Sequence, residues 1–292
     1  MSATIPAGNA PAGVELERAK ARTLQARQLS AGYANRTVVD RVDLLIPPGK
    51  ITVIIGANAC GKSTTLKSLA RVLAPMDGQV LLDGVDIRQI GTRRVARRLG
   101  LLPQQPIAPE GITVADLVAR GRHPHLGMFK PTSSTDHQIV EEALIATRTD
   151  QLADRPIDEL SGGQRQRVWI AMALAQRTDV LLLDEPTTFL DLANQIEVLD
   201  LLRDLNERRG TTVVIVLHDI NLAARYADHI VAMKKGRIVA SGAPTDIVDE
   251  ALIRQVFDLQ SRVIADPVSL TPLVVPVGRH HSRGGSETAG PR

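Results

Sequence analysis

Nine consecutive residues constrain this chain more than any others: Gly56-Ala57-Asn58-Ala59-Cys60-Gly61-Lys62-Ser63-Thr64. They follow the apolar run 51–55 and precede a helix-like stretch at 66–73. Strand, glycine-bounded turn and helix, in that order, are the setting in which a G-x-x-x-x-G-K-S/T loop binds phosphate. N–H groups at a helix start and along such a loop point at an anion, and the helix dipole favours negative charge there. Lys62 adds a full positive charge for the outer phosphates, and the Ser63 hydroxyl can ligate Mg²⁺. Ala59 is unusual inside this loop: a positive φ would cost alanine about 1 kcal/mol or more where glycine is free. The sequence leaves open whether that angle is compatible or strained.

At 292 residues, core burial is not limiting. Aromatics are only 2% of the chain, so the core must come from Leu, Val, Ile and Ala. A net charge of +3 is too small to argue for nucleic-acid binding. The single cysteine, Cys60, excludes an internal disulfide and suits a reducing compartment. No window approaches the roughly 18 apolar residues of a membrane span, and the N-terminus lacks a signal pattern. The expectation is a cytosolic chain that reaches a membrane only by docking onto another protein.

Residues 1–24 read as a mobile leader and 279–292 as a disordered tail. Between about 26 and 47 apolar residues alternate, as at Val42, Leu44 and Ile46, and 79–82 with the Asp83-Gly84 turn predicts another short strand. These suit an antiparallel sheet with one wet face. The runs 180–183 and 213–217 are continuously apolar, as parallel strands buried on both faces should be. Helical patterns at 168–175 and 196–205 alternate with them, and 230–240 reads as a hairpin. Strand signals are missing from about 103 to 176, where 114–120 and 139–147 read as helices, so about 104–176 is expected to be a helical insert.

The second strong signal is Asp184-Glu185 at the end of the 180–183 run, where parallel sheets place their ligands. Asp184 is placed to hold Mg²⁺ through Ser63 or water, and Glu185 to orient and deprotonate an attacking water. The third is Leu160-Ser161-Gly162-Gly163-Gln164 before a helix, a second anion-binding helix start. A single nucleotide needs only one such cradle. Two copies arranged head to tail resolve the surplus, each nucleotide lying between one copy's loop and the other's Ser161 and Gly163.

With this loop, LSGGQ, LLLDE and the later His218 in order, the chain resembles the nucleotide-binding subunit of an ATP-binding-cassette (ABC) transporter over residues 26–278. The resemblance implies an α/β fold: a P-loop NTPase (RecA-like) core with an antiparallel β subdomain and a helical insert, the ABC ATPase domain spanning 25–278. It also implies roles, residue by residue. Tyr33 matches the aromatic that stacks on adenine, and Gln104 the glutamine that senses Mg²⁺ and water; Gln105 lies beside it, and spacing from Gly100 favours Gln104. Leu190-Asp191 matches the loop that couples the two sites, with Phe189 where many relatives carry a small residue, and His218 the histidine that contacts the γ-phosphate. Relatives usually carry glycine at position 59.

The stretches 119–125, 160–167 and 184–191, with Asp266-Pro267 and 271–276, are similar to those of iron(III)-siderophore importers; haem and cobalamin importers share much of this. The implied protein is an ATPase using ATP and Mg²⁺, paired with a second copy of itself. It would sit on the cytoplasmic face of the membrane against separate permease subunits and, through them, a substrate-binding protein. A soluble ABC ATPase of DNA repair or translation is the rival, but neither heptads nor a second phosphate loop supports it. Other features carry less. The cluster Arg93, Arg94, Arg97 and Arg98 reads as a solvated face rather than a nucleic-acid patch. His123 and His125 suit a coupling surface better than a metal site, and His280 and His281 at most adventitious metal binding. Cys60 is either a thiol with lowered pKa, from its helix start and Lys62, or a small space-filler.

Overall fold

The computed structural model describes residues 18–34, 36–126, 133–188 and 190–278. Residues 1–17 of the expected leader, the expected tail 279–292 with His280 and His281, and Phe189 lie outside the described residues. In chain order the elements begin with β1 (Leu24–Tyr33), β2 (Arg36–Ile46), β3 (Ile51–Gly56), α1 (Lys62–Leu69), β4 (Asp77–Leu82), β5 (Val85–Asp86), α2 (Thr92–Ala96) and β6 (Leu99–Leu102). Three helices follow, α3 (Val114–Ala119), α4 (Ser134–Ala146) and α5 (Gly162–Ala175). The chain continues through β7 (Val180–Asp184), α6 (Leu192–Arg209), β8 (Thr212–Val216), α7 (Ile220–Tyr226), β9 (His229–Lys234) and β10 (Arg237–Gly242). It closes with α8 (Pro244–Ile247), α9 (Glu250–Phe257), β11 (Ser261–Ala265) and β12 (Pro272–Pro276).

The early alternating strands form an antiparallel sheet in the order β2-β1-β4-β5. The continuous apolar runs form the core of a second sheet, ordered β10-β9-β3-β8-β7-β6, parallel except for β10. Every residue of β3, β7 and β8 is buried, because layers cover both faces of this sheet. Along β8 the pleat divides its side chains between two cores: Val213 and Ile215 join the cluster with the α3–α5 helices, while Val214 and Val216 join the one beneath the antiparallel sheet. β3, β8 and β7 are neighbours, so the ends of β3 and β7 and the residues after β8 meet at one sheet edge. No helix among the described residues is long and apolar enough to cross a membrane.

The short strands β6, β11 and β12 carried no clear sequence signal. β6 holds four residues with a central glycine, and prolines bound β12 at both ends, as suits a two-stranded edge. The start of the fold also differs from expectation. Residues 19–22 do not belong to a free leader: the Ala19 N–H donates to Arg209 O (2.7 Å), and Lys20 N and Arg22 Nε both donate to the Asp179 carboxylate (2.9 Å). Those partners lie some 160 to 190 residues away, beyond any local pattern.

A buried ion pair fixes the helical insert. Arg122 Nε donates to Asp136 Oδ1 at 2.9 Å and its Nη1 to Ala175 O at 2.8 Å, joining the turn after α3 to α4 and α5. Asp136 also accepts from Ser133 N and Oγ, completing the capping box of α4. The Ser133 hydroxyl first, then Arg122, hold its carboxyl down at about 2. A carboxylate whose folded pKa is depressed stabilises above its unfolded pKa, and that contribution fades as pH falls through about 2. Arg122 and Asp136 are only 6% and 8% exposed. Arg122→Ala should therefore cost roughly 3–5 kcal/mol, because it leaves a buried carboxylate without its cation. Chemical denaturation at neutral pH measures this, and an unchanged midpoint contradicts it.

The neighbouring loop departs from expectation in one respect. His125 is half-buried with Nε2 at 2.8 Å from Gln176 O, so it ties the loop after α3 to the end of α5 instead of standing free; His123 is exposed. Burial pushes the His125 pKa down. In the basic cluster, Arg93 Nε and Arg97 Nε both donate to Pro124 O, at 2.9 and 2.7 Å. These arginines brace the loop as well as meeting solvent.

Candidate nucleotide site

β3 ends at Gly56 and α1 begins at Lys62, so the nine-residue loop leaves the sheet edge just where α1 starts. Gly61 precedes α1 at φ 108° and offers no side-chain cap, leaving the first helical N–H groups for an anion. Lys62 is buried and folds back over the loop, its Nζ donating to Gly56 O (2.9 Å) and Ala57 O (3.2 Å). Ser63 Oγ donates to Asp184 Oδ1 at 2.8 Å, joining the loop to the end of β7. The other oxygen, Asp184 Oδ2, is buried without a hydrogen-bond partner. Burial first, then the adjacent Glu185 charge, raises the Asp184 pKa, and the Ser63 bond opposes them. An orphaned buried carboxylate oxygen beside a hydroxyl is a donor set that suits a hard divalent cation such as Mg²⁺.

Glu185 follows with φ 53°, a left-handed angle that a non-glycine residue holds only when its surroundings enforce it. Three groups hold its carboxylate: Gln104 Nε2 donates to Oε2 (2.6 Å), Thr188 Oγ1 donates to the same oxygen (3.3 Å), and His218 Nε2 lies 2.6 Å from Oε1. The sheet order thus gathers residues 81 and 33 positions apart in sequence onto one carboxylate.

Loop residues 58–64, Tyr33, Gln104, Glu185 and His218 line one cleft of about 890 Å³. Tyr33 is half-exposed at its wall. Ser161, Gly162, Gly163, Gln164 and Asp191 do not line it. Ser161 caps α5, accepting from Gln164 N (3.3 Å) while Gln164 Oε1 accepts from Ser161 N (3.0 Å). Asp191 caps α6, and the Asn194 backbone N–H and side-chain amide hold its carboxyl below the usual range. The sequence reading missed Arg36, Thr37, Val38, Lys235 and Gly236, which also line the cleft. Gly236 touches the loop directly, its N–H donating to Cys60 O at 2.9 Å. A Cβ there would lie 2.2 Å from Val38 O, so this contact requires glycine. The Lys235-Gly236 turn was a visible signal, but nothing local pointed it at residue 60.

Two open alternatives are decided. Ala59 has φ 61°, so the loop carries the alanine strain. Ala59→Gly should stabilise the ATP-saturated chain by up to about 1 kcal/mol, a Tm rise of about 2–4 °C. An unchanged or lower Tm means that the strain relieved does not exceed the extra chain entropy that glycine gives the unfolded state. Cys60 is 5% exposed within the core beneath the antiparallel sheet, and burial pushes its thiol pKa up against the opposing Lys62 charge. It is the space-filler and not a lowered-pKa thiol.

A phosphate-type loop facing an acidic pair across a cleft at the end of a parallel sheet defines a nucleoside-triphosphatase core. The family model for the ABC transporter matches residues 39–188. The chain belongs to the ABC transporter family, as an ATP-binding subunit whose ATPase activity is coupled to transport. It is 57% identical over 256 residues to the achromobactin transport ATP-binding protein CbrD of Dickeya dadantii (strain 3937), covering 88% of this chain and 95% of that one. It is 50% identical over 256 residues to the ferric enterobactin transport ATP-binding protein FepC of Escherichia coli (strain K12), covering 88% and 94%. Among solved structures, the dimeric bacterial ABC transporter cassette MJ0796 matches with TM-score 0.68 at 27% identity, over 75% of this chain and 98% of that one. ABC ATPases of this kind act as dimers with membrane permease subunits.

Proposed function

We propose that this chain is the ATP-hydrolysing subunit of an importer of iron(III)-siderophore complexes, seated on the cytoplasmic face of the membrane against a separate permease. The observation that carries the site assignment is the Glu185 carboxylate, held between Gln104 and His218 at 2.6 Å each and facing the Gly56–Thr64 loop across the cleft. The cargo class rests on the transport functions of CbrD and FepC.

In this reading Tyr33 stacks on adenine, while the loop and Lys62 cradle the β- and γ-phosphates. Ser63, Asp184 and Gln104 would hold Mg²⁺, which when bound neutralises charge on the phosphate oxygens. Glu185 orients water and takes its proton as the oxygen attacks the γ-phosphorus and the bond to the β–γ bridging oxygen breaks, ADP and phosphate leaving, while His218 donates to the γ-phosphate. Ser161 and Gly163 lie outside the cleft, so the reading takes them from a second copy, together with Gly162, Gln164 and Asp191 of that copy. Catalysis is then positioning and charge stabilisation completed by closure of two copies.

The chain purified with its permease tests the cargo. A ferric siderophore presented by a substrate-binding protein should stimulate ATP hydrolysis, whereas haem or cobalamin should not. Stimulation by haem or cobalamin alone overturns the cargo assignment and leaves the ATPase assignment in place.

A further inference from the structure

Gly163, Gln166 and Arg167 lie at i, i+3 and i+4 on one face of α5, and each meets the stretch that follows Glu185. A Cβ on Gly163 would sit 3.4 Å from Leu190 Cδ2, within ordinary van der Waals contact, so the helix and Leu190 lie side by side there. Arg167 Nη1 donates to Asn194 Oδ1 (2.7 Å), and Asn194 donates from N and Nδ2 to Asp191 (2.9 and 2.8 Å). Between these contacts, Gln166 Nε2 donates to Pro186 O at 2.8 Å.

The third contact bears on the chemistry. Glu185 holds a left-handed angle that its surroundings must enforce. Its carboxylate is anchored, and its backbone enters from the fully buried strand β7. On the far side stands Pro186, with fixed φ and no N–H. The direction of its carbonyl is therefore set by one free backbone angle, and the Gln166 amide fixes that direction. The donor comes from the helix that Ser161 caps. We infer that Gln166 is a positioning residue, locking the Pro186–Thr187 peptide, one residue beyond Glu185, to α5, so that movement of the helical insert and the aim of the Glu185 carboxylate are coupled. The inference rests on Glu185 being the base.

The test uses the full chain assembled with its permease. Gln166→Leu keeps bulk and removes the donor; Gln166→Lys keeps a donor able to reach the same carbonyl. The Leu variant should lose between about tenfold and a hundredfold in kcat, with the KM for ATP and the Tm unchanged, because a small misplacement costs that much. The Lys variant should recover most of the loss. In a Glu185→Gln background, Gln166→Leu should add no further loss, since it acts through a carboxylate already removed. Wild-type kcat in Gln166→Leu, or a loss that persists in full in the Glu185→Gln background, overturns the inference and spares the base. Normal turnover by Glu185→Gln alone overturns the base assignment itself.

Discussion

Glu185→Gln is expected to slow ATP hydrolysis by about 10²-fold or more while leaving ATP binding intact. The side chain keeps its size, but an amide cannot take a proton from water. The substitution also sets an NH₂ group against Gln104 Nε2 or His218 Nε2, both at 2.6 Å from the native carboxylate. Binding should survive because Lys62 and Ser63 make their contacts to Gly56 O, Ala57 O and Asp184, not to Glu185. With binding intact and hydrolysis blocked, the ATP-bound dimer should accumulate. Steady-state phosphate release and equilibrium ATP titration separate the two effects. Near-normal turnover removes Glu185 from the role of base.

Ser161→Arg is expected to abolish ATPase activity without preventing a single copy from binding ATP. Within one chain Ser161 does only local work, accepting from Gln164 N at 3.3 Å to cap α5. Losing a side-chain cap costs about 1 kcal/mol, and the reciprocal bond from Ser161 N to Gln164 Oε1 can persist, so α5 should remain folded. Ser161 does not line the cleft that holds the loop, so ATP affinity of the single copy should not change. The bulk and charge of arginine act only if this helix start must close on a second copy's nucleotide. Retained activity would show that each chain completes its own site.

Much of this site was legible because its parts are local. The 56–64 loop, the strand-end pair Asp184-Glu185 and the Ser161 cap each declare their chemistry within a few residues, and continuous versus alternating apolar runs separated the two sheets. What escaped depends on distant contacts. Residues 19–22 are anchored by Asp179 and Arg209, and His125 is turned inward by Gln176. Arg36 and Lys235 reach the cleft from two hairpins that flank the loop only after folding. The φ of Ala59 was undecidable because alanine tolerates either angle at modest cost, and the Cys60 thiol was misjudged by one alternative because burial outweighs the nearby lysine.

In the shared-site arrangement one ATP site is built by two copies of this chain. Sedimentation of Glu185→Gln with saturating ATP tests it most directly, run beside the Glu185→Gln/Ser161→Arg double variant. The first should double its mass on adding ATP, while the second should bind ATP and stay a single copy. A Glu185→Gln chain that binds ATP and remains monomeric, or a double variant that dimerises equally well, contradicts the shared site.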